Sequence, residues 1–381
     1  MRKLKIVYIS ALDPRNKRIS SGSPYLMFRA LEKHCGEVEF LGTLTTPIHF
    51  FGKALNGLLS LTGKRYNYGH SILLAKSYSK IISKQLEKQD YDIIFSHCET
   101  EISLIKTKLP IIFTTDGTIP ALAEYYPYFS NLLKFSYEES LHIESLALNN
   151  SSLILYASEW VSKSAQQTYG IHPNKIRLIN YGANLEKIPE EVKVLERKPE
   201  SKKCRLLFIG VDWRRKGGEI AFNTLLDLQR MGIDSELTVC GVTPPKKFRH
   251  KDLKVIPFLD KNKGEDQKIL TELYLNSDIF LLPTRAECAG IVFCEASAFG
   301  LPIVATDTGG VSSYVHNGIN GHLLPLEAKS DNYATVISQI YCDDSKYKSL
   351  VKSSRELYDQ KLNWDVWGKS VRQSIYEVVG I

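Results

Sequence analysis

Three short stretches carry residues whose types and spacing suit an anionic, polyhydroxylated ligand. The first is Gly210-Val-Asp-Trp-Arg214-Arg215-Lys216-Gly217-Gly218, where three consecutive cations precede a Gly-Gly helix start. Fixed backbone N–H donors beside mobile positive charge suit a diphosphate. As an isolated basic loop the same run is more often a solvated turn. The second stretch, from Pro283 to Pro302, holds Glu287 and Glu295 on either side of Gly290 and Ile291. Ionised carboxylates accept several O–H donors at once and so can hold sugar hydroxyls. They could also form the acid/base pair of glycoside hydrolysis, while taken alone Glu295 reads first as an exposed first-turn residue favoured by the helix dipole. The third is Thr306-Asp-Thr-Gly309-Gly310-Val311, whose glycines either let backbone amides approach an anion or make a plain tight turn. A G-x-G-x-x-G dinucleotide fingerprint is absent. Gly57 to Lys64 has the wrong glycine spacing for a P-loop, and Arg65 stands where Ser or Thr is required. Asp90-Tyr91-Asp92 reads as a strand boundary, so no metal is expected.

Each stretch follows an apolar run, which sets the architecture. Buried strands are expected at Lys5 to Ile9, Val38 to Leu41, Asp92 to Phe95, Ile111 to Phe113, Leu153 to Tyr156 and Ile176 to Ile179. Helical periods fall at Tyr25 to Lys33, Ser71 to Lys88 and Tyr137 to Asn149. The alternation predicts a parallel sheet covered on both faces. It pauses over 185–203, which is dense in charge and carries Pro189 and Pro199, and reads as a linker. It restarts with strands at Arg205 to Ile209, Leu237 to Cys240, Lys254 to Pro257, Ile279 to Leu282 and Ile303 to Ala305, and clear helices at Gly218 to Met231 and Gly290 to Phe299. The expected class is α/β, with two doubly wound Rossmann-like domains, 1–184 and 204–363, facing an interdomain cleft. The amphipathic tail 364–381 is expected to pack back on the first domain.

Taken in order, G-x5-K-G, E-x7-E with A-x-G-x-P, and D-x-G-G resemble the retaining GT-B glycosyltransferases of family four, the E-x7-E group. The likeness is strong from about Leu206 to Pro325; upstream, Tyr181-Gly182-Ala183-Asn184 is similar to the family's N-G-V-D element. The resemblance implies transfer of a sugar from a nucleoside-diphosphate sugar to an acceptor hydroxyl, with retention, no cofactor and no metal. It implies that Lys216 binds the diphosphate, Glu287 the donor sugar and Glu295 the ribose, with backbone near Gly290, Ile291, Gly309 and Gly310 close to sugar and phosphates. Val211 departs from the family's frequent Arg, a cation that Arg214 or Arg215 would supply. Gly22 is the one glycine of the first loop, Ser20-Ser21-Gly22-Ser23-Pro24. His97 and Asp116 stand near the family's histidine as contacts to the sugar or acceptor; a buried, satisfied His97 is the competing reading. On the same frame, a sugar-nucleotide epimerase, a phosphorylase or a silent binding module are the other readings.

The 381-residue chain carries 49 basic and 42 acidic residues, a net charge of +7. That bias is too small to indicate a nucleic-acid partner and suits an anionic donor with a carbohydrate or lipid-linked acceptor. Lys76, Lys80, Lys84 and Lys88 recur every four residues after Lys53, Lys64 and Arg65, beside Phe50, Phe51, Leu58, Leu59 and Leu61. This segment is expected either to touch anionic lipid or to be a solvated helix face. No apolar run reaches bilayer length, the N-terminus lacks a signal-peptide cleavage site, and seven scattered cysteines form no C-x-x-C pair. A cytoplasmic enzyme, at most visiting the inner membrane face, is expected.

Overall fold

The computed structural model describes residues 3–196 and 203–380. The chain forms two compact units, Met1–Ile179 with Trp367–Ile381, and Asn180–Val366. Unit 1 is a sheet of six strands: β1 (Leu4–Ile9), β2 (Gly36–Leu41), β3 (Ile93–Ser96), β4 (Ile111–Thr115), β5 (Leu153–Tyr156) and β6 (Ile176–Leu178). Every pairing is parallel, in the order β2-β1-β3-β4-β5-β6. Its helices are α1 (Ser23–His34), α2 (Ile48–Leu59), α3 (Ile72–Leu86), α4 (Glu99–Ser103), α5 (Ile119–Leu122), α6 (Lys134–Asn150) and α7 (Glu159–Tyr169). Strands β3, β4 and β5 are buried at every position, as helix cover on both sheet faces requires. The core joins Val7, Ile94 and Phe113 of the sheet to Leu74, Tyr78 and Leu148 of the helices.

Unit 2 repeats the plan. It contains α8 (Glu191–Leu195), β7 (Cys204–Ile209), α9 (Gly218–Arg230), β8 (Ser235–Cys240), β9 (Leu253–Ile256) and α10 (Gly264–Leu275). There follow β10 (Ile279–Leu282), α11 (Ile291–Ala298), β11 (Ile303–Thr306), β12 (Gly321–Leu324), α12 (Ser330–Tyr341) and α13 (Asp344–Gln360). The sheet order is β12-β11-β10-β7-β8-β9, again with parallel pairings. Two doubly wound α/β sheets are therefore present, with one strand, β12, beyond those the apolar runs mark.

The charged stretch 185–203 is part of unit 2 as far as it is described; residues 197–202 lie outside the described residues. It forms α8, buries Val194 and accepts a 2.8 Å hydrogen bond from Arg355 at the Pro189 carbonyl. Helix α14 (Trp364–Val379) belongs to unit 1 from Trp367 onward. There Trp367 meets Phe95 edge-on, the Cys35 thiol donates to the Gly368 carbonyl, and Arg177 pairs with Glu377 at 2.8 Å. All seven cysteines are free thiols. Among the described residues no helix is long and apolar enough to cross a membrane.

Candidate active site

In an open α/β sheet the crevice lies at the carboxyl ends of the strands, where the strand order reverses. In unit 2 that point falls between β7 and β10, and the candidate residues converge there. The turn after β7 needs its glycines. Gly217 has φ 74°, and a Cβ there would lie 1.8 Å from the Pro283 carbonyl oxygen. A Cβ on Gly210 would lie 2.8 Å from Cγ of Lys216, so the lysine stem lies along bare backbone. Asp212 accepts the Arg215 amide at 3.0 Å, and the Trp213 ring packs against Phe208 and Phe248. These contacts hold the turn that carries the three cations.

The Lys216 ammonium forms an ion pair with the Glu287 carboxylate; the two residues are only 7% and 8% exposed. Arg215 donates from its guanidinium to the Ala286 carbonyl at 3.0 Å, and its own carbonyl accepts the Arg285 amide at 2.7 Å. The Gly310 amide donates to the Glu287 carbonyl at 3.0 Å. Loops following three adjacent strands (β7, β10 and β11) are thus tied around one lysine–glutamate pair. Gly309 turns with φ 55°, and the Gly310 amide braces the loops to each other. Arg214 is exposed.

Glu295 is completely buried on α11, unlike an exposed first-turn residue. Its carboxylate pairs with Lys261 and accepts a 2.8 Å hydrogen bond from the Tyr274 hydroxyl. Burial, and then the Glu295 charge, push that phenol well above its usual range. Gly290 caps α11 and Ile291 is its half-buried first residue. Lys261 and Tyr274 escape a reading by motif: Lys261 sits in the polar run Asp260-Lys261-Asn262-Lys263, and Tyr274 reads as an ordinary core residue of α10. Tyr181-Gly182-Ala183-Asn184 lies in unit 2. There the Tyr181 amide donates to Tyr314, its carbonyl accepts from the Cys294 thiol, and Trp364 donates to Asn184 at 3.0 Å.

Gly22, His97 and Asp116 belong to unit 1. Gly22 caps α1 with φ 92°, after two serines with positive φ. His97 follows β3, and its Nδ1 lies 2.8 Å from the Tyr8 hydroxyl of β1. Burial pushes its pKa down to about 4, so the imidazole is neutral. Asp116 follows β4 and is half-buried. Polar residues that no motif marks lie in the same unit. Glu101 accepts the Ala11 amide at 2.9 Å, and His70 stands 3.5 Å from Glu99. Glu144 accepts the Ile119 amide at 2.8 Å and the Tyr169 hydroxyl. Burial first, and the Glu99 charge next, push the Glu144 carboxyl up to about 8.

Two family models match the chain: Glycosyltransferase Family 4 over residues 25–187, and Glycosyl transferases group 1 over residues 190–357. D-inositol 3-phosphate glycosyltransferase from Arthrobacter sp. (strain FB24) is 30% identical over 42% of this chain and 40% of its own length. N-acetyl-alpha-D-glucosaminyl L-malate synthase from Bacillus anthracis is 25% identical over 68% of this chain and 65% of its own. The chain therefore spans less than two thirds of either enzyme. The crystal structure of Anabaena Alr3699/HepE in complex with UDP and glucose has the same fold, with a TM-score of 0.61, 17% identity and coverage of 98% of this chain and 99% of that one. With both family models matched in sequence order onto two doubly wound units, the chain belongs to the GT-B glycosyltransferases of family four.

Proposed function

We propose that this glycosyltransferase moves a sugar from a nucleoside-diphosphate sugar to an acceptor hydroxyl with retention at the anomeric carbon, without a metal or cofactor. The observation that carries the reading is the Lys216–Glu287 pair, nearly closed to water, at the switch point of unit 2. A lysine held this way is a preorganised counter-charge, and its carboxylate partner is a ready acceptor for sugar hydroxyls. When the glycosyl–phosphate bond breaks, negative charge builds on the diphosphate. Lys216, Arg215, Arg214 and the amides at the start of α11, near Gly290 and Ile291, would stabilise it there. Glu287 and the backbone at Gly309 would orient the sugar, and Glu295, fixed by Lys261 and Tyr274, would accept the ribose hydroxyls. The three cations supply the charge that a divalent ion would otherwise bring. Unit 2 is thus the donor-binding unit. Unit 1 takes the acceptor, a glycan, lipid-linked or small-molecule hydroxyl, with Asp116, His97 and the Gly22 turn as its contacts. The bound UDP and glucose of the Anabaena protein support this choice of ligand class. Seven free thiols suit a reducing cytoplasm.

A thermal-shift panel of UDP-, GDP- and ADP-sugars tests the reading, since a ligand at 100 times its Kd adds about 2.7 kcal/mol of stability. One donor class should raise Tm for the parent and not for Lys216→Ala. Turnover of that donor should release free nucleoside diphosphate and yield a product with the donor's anomeric configuration. Release of nothing, with only the sugar altered, would mean an epimerase.

A further inference from the structure

Helix α2 is built the wrong way round for a protein surface. A surface helix ordinarily turns its apolar stripe inward and its polar face to water. Here the inward face is mainly polar or bare: His49, Gly52 and Asn56, spaced i, i+3, i+7 on one side, with Ile48 half-buried against the core of unit 1 and Leu59 half-buried at the far end. His49 Nε2 lies 2.7 Å from the Tyr78 hydroxyl. Asn56 donates to the Tyr66 carbonyl at 2.9 Å and accepts the Tyr66 amide at 2.7 Å. Gly52, the helix's one buried residue, lies under the Tyr68 ring. Phe50, Ala54 and Leu58 (i, i+4, i+8) with Phe51 and Leu55 (i, i+4) form the opposite face. Phe50 is 73% exposed, Phe51 67% and Leu58 69%, and Leu61 just beyond the helix is 87% exposed. The helix is anchored by its hydrogen-bonding side and presents its apolar side outward.

The charge along the neighbouring sequence is one-sided. Between Glu39 and Glu87 the chain has no acidic residue and six cations: Lys53, Lys64, Arg65, Lys76, Lys80 and Lys84. The five lysines are exposed. Arg65 lies over the half-exposed ring of Tyr128, 5.0 Å from its centroid. Glu139, reaching in from α6, is engaged by the Tyr66 hydroxyl and the Ile72 amide. Outward aromatic and leucine side chains on a helix that carries Lys53 and is followed by Lys64, in a stretch whose charged residues are all basic, match the boundary between acyl chains and anionic headgroups.

We infer that α2 is an in-plane membrane anchor that seats unit 1 on an anionic lipid surface, with Phe50, Phe51, Leu58 and Leu61 entering the acyl boundary and the lysines meeting headgroup phosphates. This goes beyond the sugar-transfer reading and does not depend on it, because the assay needs no donor. The full chain is sedimented with vesicles of phosphatidylcholine alone and of phosphatidylcholine with phosphatidylglycerol in equal parts. The parent should pellet with the anionic vesicles, and high salt should release it. Phe50→Gln/Phe51→Gln/Leu58→Gln should weaken vesicle binding at least about tenfold with Tm unchanged, since the replaced side chains face outward. Lys53→Gln/Lys64→Gln should weaken it about fivefold per lysine. Equal pelleting with neutral and anionic vesicles, or equal pelleting of parent and triple variant, would overturn the inference. So would a concentration-dependent dimer in vesicle-free buffer that the triple variant abolishes, which would assign the face to a second copy of the chain.

Discussion

Breaking the Lys216–Glu287 pair should damage folding and chemistry by separable amounts. Both residues are more than nine-tenths buried. Lys216→Ala therefore takes the ammonium away from a carboxylate that water barely reaches. Removing one partner of a buried pair costs about 3–5 kcal/mol. In a unit of roughly 190 residues, each kcal/mol shifts Tm by about 2–4 °C, so the variant should melt about 10 °C lower. Glu287→Gln should behave alike, leaving a buried ammonium facing a neutral amide. Replacing both with apolar residues of similar volume, as in Lys216→Met/Glu287→Met, is often neutral or stabilising, so that variant should regain most of the lost Tm. Catalysis should not return with it. Loss of one charge-stabilising donor costs on the order of 3 kcal/mol of barrier, about a hundredfold in rate, and the double variant lacks two ligand contacts. Scanning calorimetry reads the first quantity and release of nucleoside diphosphate the second. A double variant that regains both stability and turnover would show that the pair is purely structural and would remove the basis of the proposed mechanism. A single variant with parental Tm would show that the pair is effectively solvated.

Gly217→Ala should cost at least about 2 kcal/mol, because the left-handed φ is strained for alanine and the new methyl meets the Pro283 carbonyl; calorimetry and donor binding should both fall, and parental values would refute the packing argument. Lys261→Met should leave turnover at saturating donor nearly intact while raising KM and reducing discrimination between ribose and 2′-deoxyribose donors about tenfold, which steady-state kinetics with both donors would check. Glu144 binds its proton more tightly when folded, with a pKa near 8, than when unfolded, with one near about 4.3. Its stabilising contribution is therefore complete below about pH 4 and is lost as pH rises through about 8. The parent's Tm should fall between about pH 6 and pH 9 by several degrees more than that of Glu144→Gln; parallel melting curves would count against the buried, protonated carboxyl.

The strands were legible because burial on both faces leaves unbroken apolar runs: Leu153–Tyr156 and Ile279–Leu282 are buried throughout and stand where the runs end. The site loops were legible for a related reason. Crevices form at the carboxyl ends of such strands, so glycines, cations and acids just after β7, β10 and β11 already mark the ligand side. Edge strand β12 was not legible, since its His322 and Leu323 are only half-buried and break the run. Helix α8 hides in a charged segment, where Val194 alone is buried.

Residue types and their order along the chain thus specify which groups are present and on which ends of the sheets they fall. Their partnerships come only from folding. Lys216 and Glu287 are 71 residues apart and Glu295 and Lys261 are 34 apart, and nothing local distinguishes a lysine that will be buried against an acid from one that stays in water. The same holds for α2: its composition marks apolar residues beside lysines, and only the packed unit shows that His49 and Asn56 have taken the inner face. Side-chain identity is local information, whereas burial and pairing depend on contacts across the chain, and these set both the charge of a site and the face a helix shows to its surroundings.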